Sequence, residues 1–113
     1  MKVKEVVPEI KKKDMTSIML KVFEQYQLCR VAQKDESRRK YCEAIEEAVS
    51  RLIGREKTII EERFMKESGV FDYVVYNHKI EPPMSKDTYT KWRDRAFQKL
   101  YLAFCEEGII QES

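Results

Sequence analysis

Residues 84–104 read MSKDTYTKWRDRAFQKLYLAF, and the rest of the chain is organised around them. At helical pitch the apolar positions fall at Tyr89, Trp92, Ala96, Leu100 and Phe104, with Phe97 and Ala103 widening the stripe. That spacing is the signature of a helix with one face in a core. Ser85 is placed to cap it, because its hydroxyl can accept a free backbone N–H of the first turn. Asp87 adds negative charge where the helix dipole favours it, and Gly108 offers a stop. A helix over residues 86–107 is expected, about 30 Å long, with Tyr89 and Trp92 as core residues.

The other face carries the functional signal. Between residues 83 and 103 there are five bases, Lys86, Lys91, Arg93, Arg95 and Lys99, against two acids, Asp87 and Asp94, and the first turns add Thr88 and Thr90. A helix fits the major groove of B-DNA, where short polar side chains reach base edges while Lys and Arg meet phosphates. The competing reading is a solvated basic face on an ordinary surface helix. Context has to decide between them.

Composition sets the frame. At 113 residues, 42% hydrophobic, with only three Gly and three Pro, the chain suits one all-α domain of about five helices. Charged residues make up 37% yet the net charge is only +2, so any affinity for nucleic acid must come from how charge is distributed. Cys29, Cys42 and Cys105 lie too far apart for a zinc knuckle, so no metal is expected. Their odd number, with no secretory signal, favours a reducing cytoplasm. No run of 18 apolar residues is present to span a membrane.

Taken in order, residues 1–13 read as a flexible basic arm with Pro8 and a Lys11-Lys12-Lys13 run, and residues 14–107 as a single helical domain. A first helix is expected from Asp14 or Thr16 to about Ala32, its stripe Met15, Ile18, Met19, Val22, Tyr26 and Cys29. A second apolar line, Leu20, Phe23 and Leu28, cannot all face the same core and points to a partner or a second copy of the chain. Asp35 or Ser37 should cap a second helix through Leu52, with Tyr41, Ile45, Ala48 and Leu52 inward. After Gly54 a third helix over residues 55–65 presents Ile59, Ile60 and Phe64 inward. Residues 71–78 suit a short helix on Phe71, Val74 and Val75, and His78 reads as a surface or helix-end residue. Glu81-Pro82-Pro83 then requires an extended connection, and residues 108–113 form an acidic tail. No phosphate loop, His-carboxylate pair or nucleophile motif appears, so neither an enzyme nor a cofactor is expected.

A short helix, a turn, a Ser cap and a longer basic helix make a helix-turn-helix, here at about residues 71–104. Residues 84–100 resemble, without a gap, the second half of that motif in region 4 of bacterial sigma-70-type factors, with buried positions on Tyr89, Trp92, Ala96, Phe97 and Leu100. Residues 52–65, LIGREKTIIEERFM, resemble the helix that opens region 4. Residues 40–104 as a whole, with DYVVYNH and TYTKWRDRAFQKL, look closest to the ArpU-type transcriptional regulators of phages and prophages, which are associated with late genes for lysis and packaging. The resemblance implies base-facing positions at Lys86, Asp87, Thr88 and Lys91, with Arg95 nearer the backbone. The turn over residues 79–84 departs from the pattern, being longer and carrying two prolines.

The expected function is therefore a sequence-specific regulator bound to double-stranded DNA through Ser85, Lys86, Asp87, Thr88, Thr90, Lys91, Arg95 and Lys99. It would contact or recruit RNA polymerase, since the remaining residues are too few for a promoter-melting domain. The alternative is a helical interaction module that binds RNA polymerase or another regulator without reading DNA.

Overall fold

The structure, a computed structural model, describes residues 10–66 and 70–110. Five helices and no strand occur among these residues: α1 (Lys12–Val31), α2 (Glu36–Ser50), α3 (Gly54–Ile60), α4 (Asp72–Val74) and α5 (Lys86–Glu106). The chain continues from α3 through a π-helical turn, Glu61–Met65, and from α4 through another, Val75–Lys79. No helix of the described residues is long and apolar enough to cross a membrane.

The caps explain where the helices begin and end. Asp35 accepts from the Ser37 backbone N–H and from its hydroxyl, both at 2.7 Å, and starts α2. The Ser37 hydroxyl first, and then its N–H, hold the Asp35 carboxyl below its ordinary range. Ser85 accepts from the Thr88 N–H at 3.2 Å and starts α5, as its sequence position predicts. At the other end Gly108 has φ +75°, and the Ile109 and Gly108 N–H groups return to the carbonyls of Phe104 (2.8 Å) and Cys105 (3.1 Å). These two bonds form a Schellman motif. It folds Ile109 and Ile110 back onto the protein, so Ile110 is a core residue and not part of an acidic tail; residues 111–113 lie outside the described ones.

Two hydrophobic clusters result. The larger joins α1 (Met15, Met19, Val22, Phe23, Tyr26), α2 (Cys42, Ile45, Ala48, Val49) and α5 (Ala96, Phe97, Leu100, Tyr101, Phe104), with Leu52, Ile60, Phe64 and Ile110. At its centre Phe23 stacks on Phe64 at 4.9 Å, and Phe64 packs against Phe97 at 5.6 Å. The smaller cluster consists of Ile59 of α3, Val75, Ile80 of the connection and Tyr89 of α5, with Val70, Tyr76, Met84 and Trp92 around it. Gln27 and Arg30 of α1 donate to the carbonyls of Phe64 and Met65, satisfying backbone acceptors where the third helical segment ends.

Four expectations need correction. The helix α1 begins at Lys12, so Lys12 and Lys13 form its first turn and only residues 1–9 of the supposed arm lie outside the described residues. Phe23 is 2% exposed, because it shares the buried face of α1 with Met19 and Tyr26 and stacks on Phe64; Leu20 and Leu28 alone remain on the outer line. Phe71 is exposed and stacks on Tyr73, while Val75 fills the inward position. Trp92 is half-buried, because the small cluster reaches only one side of it and Arg95 lies over its ring at 5.2 Å.

Candidate nucleic-acid interface

The N-terminal half of α5 is held from beneath by Tyr89, whose hydroxyl donates to Asp72 at 2.5 Å. Asp72 also receives Arg63 Nε at 2.9 Å and an Arg93 guanidinium nitrogen at 3.4 Å. One carboxylate thus ties α4 to α5 and to the turn that follows α3. Burial, and then the bond to Asp72, push the Tyr89 phenol well above its ordinary range, so it stays a donor. Arg93 also lies 5.5 Å from the centre of the Phe97 ring and 3.3 Å from Asp94, which makes it a structural cation and not a free one.

Between α4 and α5 the connection is pinned as well as extended. Ile80 is buried in the small cluster with φ −124° and ψ 131°, and the Met84 N–H returns to the Tyr76 carbonyl at 3.1 Å. The long proline-containing turn is therefore packed, and Tyr76 meets Tyr89 across it at 5.3 Å.

A groove of about 570 Å³ runs along the upper side of α5. Lys86, Asp87, Thr90, Lys91, Asp94, Arg95, Phe97 and Gln98 line one wall, and Lys12, Met15 and Thr16 of α1 form the other. Five of the eight sequence-predicted residues are brought together here. Ser85 and Thr88 do not line it; their hydroxyls lie 3.0 Å apart in the helix cap. Lys99 is elsewhere: its ammonium is bound to Glu56 at 2.7 Å, and Glu56 is the buried charged residue of the described chain, 3% exposed. Lys99 thereby neutralises a carboxylate that could not otherwise be buried.

Sequence reasoning missed the α1 wall and Gln98. The Lys11-Lys12-Lys13 run was visible, but without an apolar period ahead of Asp14 it read as loose chain. Lys12 in fact reaches Asp94 Oδ2 at 2.8 Å. Four cations, Lys12, Lys86, Lys91 and Arg95, face two carboxylates, Asp87 and Asp94, so the groove carries a surplus of positive charge although the chain as a whole is nearly balanced.

Fold and site together define a class: an all-α domain that presents a two-walled, predominantly basic groove along its longest helix. No protein-family model matches the chain, and no curated protein or solved structure shows significant similarity to it.

Proposed function

We propose that this chain is a sequence-specific DNA-binding regulator of transcription in which α4, the connection and α5 act as a helix-turn-helix. The observation that carries the reading is the division of α5. Tyr89, Ala96 and Phe97 are enclosed, which fixes the helix, while Lys86, Asp87, Lys91 and Arg95 remain exposed on its free side. Fixed backbone under exposed short polar and basic side chains is what groove reading needs. The base-edge set is Lys86, Asp87, Thr90 and Lys91, with Arg95 directed to phosphate. Ser85 and Thr88 hold the first turn, whereas Lys99 adds only long-range charge.

Resemblance of residues 40–104 to the ArpU-type regulators gives the setting: late genes of a phage or prophage, such as those for lysis and packaging, in the cytoplasm of a bacterial host. In that setting the protein contacts or recruits RNA polymerase, and no cofactor is required. A second reading, an interaction module that never reads DNA, draws on the exposed Leu20, Leu28 and Val31 of α1. Selection from a randomised duplex library separates the two. The regulator enriches a consensus, and Lys91→Ala relaxes it at one or two positions by about 1–3 kcal/mol each. Failure to enrich any sequence sinks the regulator reading.

A further inference from the structure

Three adjacent lysines at the start of a helix need a physical reason. Lys11 occupies the cap position of α1 without a side-chain cap, and Lys12 and Lys13 follow in the first turn. Cations there oppose the helix dipole, and Asp14 alone offsets them within that turn. Burial gives no reason, since the Lys12 side chain is 73% exposed. What the placement does achieve is to carry positive charge across to the groove of α5, where Lys12 and Thr16 face Lys86, Lys91 and Arg95.

We propose that the first turn of α1 is a second DNA-contacting element, with Lys12 bound to a phosphate of the same duplex that α5 reads. The inference rests on the DNA-reading proposal and adds a contact from outside the α4–α5 unit. In the groove, Lys12 and Arg95 are the cations not assigned to base edges, and together they have the chemistry to hold one strand of sugar-phosphate backbone. The groove's cations come from two helices, its surplus charge is positive, and Met15 and Phe97 give it an apolar floor. In the free protein Lys12 is held by Asp94, which is 15% exposed and shared with Arg93. On binding, Lys12 exchanges this carboxylate for a phosphate, and Asp94 keeps Arg93. Contacts of this kind fix register and orientation on the duplex and carry no sequence information themselves.

The test is a fluorescence titration of a random-sequence duplex of about 20 base pairs, two turns of B-DNA, between about 50 and 200 mM salt. Native protein, Lys12→Ala, Lys12→Arg, the double variant Lys12→Ala with Asp94→Asn, Arg95→Ala and Lys40→Ala are compared. Lys40 is an exposed lysine of α2 paired with Glu36, outside the groove, and serves as the control for general charge. Lys12→Ala is expected to weaken binding severalfold and lower the salt slope by about one unit. Lys12→Arg retains both, Lys40→Ala changes neither, and the double variant keeps the reduced slope.

If the double variant regains native affinity and slope, Lys12 merely neutralises Asp94 and the inference is overturned. It is also overturned, with the DNA reading intact, if Arg95→Ala weakens binding while Lys12→Ala does not. Absence of binding by the native protein removes both.

Discussion

The two hydrophobic clusters are built to different standards. The larger draws buried side chains from α1, α2, α5 and the third helical segment, and stacks aromatic rings at its centre. The smaller rests on Ile59, Val75, Ile80 and Tyr89, leaves Trp92 half-covered, and is completed by a polar node at Asp72. The helix α5 passes through both: its N-terminal half adds the bonds of Tyr89 and Arg93 to Asp72 to its packing, and its C-terminal half adds the Lys99–Glu56 pair to the larger core. Packing is strong but tolerant of small rotations, whereas hydrogen bonds fix angle. The face proposed to read DNA lies on the half that leans on the smaller cluster and the Asp72 node.

That contrast can be broken most forcefully at Phe97. Its ring is 1% exposed in the large core, and Phe97→Ala should remove about 3–5 kcal/mol, a large fraction of the stability of a domain this size, as measured by urea unfolding. A loss below about 1 kcal/mol would mean that the large core is not the principal support.

Alkaline titration probes both clusters at once. Burial pushes the phenols of Tyr26 and Tyr41 up to about 12, and that of Tyr89 higher still. Each folded-state value lies above the unfolded one near 10, so the native protein holds more protons between them. The tyrosine contribution to stability should be constant below pH 10, fall as pH rises from 10 to 12, and keep falling beyond, because Tyr89 titrates last. The checks are phenolate absorbance and circular dichroism followed together. The full phenolate absorbance of all six tyrosines appearing near pH 10 with the fold intact would place these rings at the surface.

Lys99→Ala comes next. It strands Glu56 in a buried position and should lower stability by about 1–3 kcal/mol, tempered by the partial exposure of the lysine, while leaving the DNA salt slope close to native. A full one-unit drop in slope would return Lys99 to the interface. Trp92→Ala should lower stability by only about 1–2 kcal/mol, since just one side of the indole is covered, and should free Arg95 from its place over the ring. A loss as large as that at Phe97 would show the two clusters to be equals.

Much of this arrangement was legible in the sequence. The α5 stripe, the Ser85 and Asp35 caps and the Gly108 stop all follow from local rules, and local rules act within one or two turns. What escaped depends on contacts between distant residues. The exception is Phe23, which stands four residues after Met19 and three before Tyr26, so the helical period itself puts it on the buried face, where it stacks on Phe64, and grouping it with Leu20 and Leu28 misreads that face. Trp92 lies on the α5 period, but the cluster it faces is too small to enclose it. Lys99 reads as one more base until the fold brings Glu56 to it, 43 residues apart in sequence but 2.7 Å apart in space. Of the candidate site, the α5 wall could be read from spacing, and the α1 wall could not, since nothing local links residue 12 to residue 94.

The Schellman turn at Gly108 has a practical side. By folding Ile109 and Ile110 onto the large core it makes the chain leave α5 at the end opposite Ser85, about 30 Å away for a helix of this length. A fluorophore or surface linker attached beyond Ile110 therefore starts from the end of α5 away from Ser85 and Lys86, and the protein can be immobilised by that handle with the N-terminal end of the helix free.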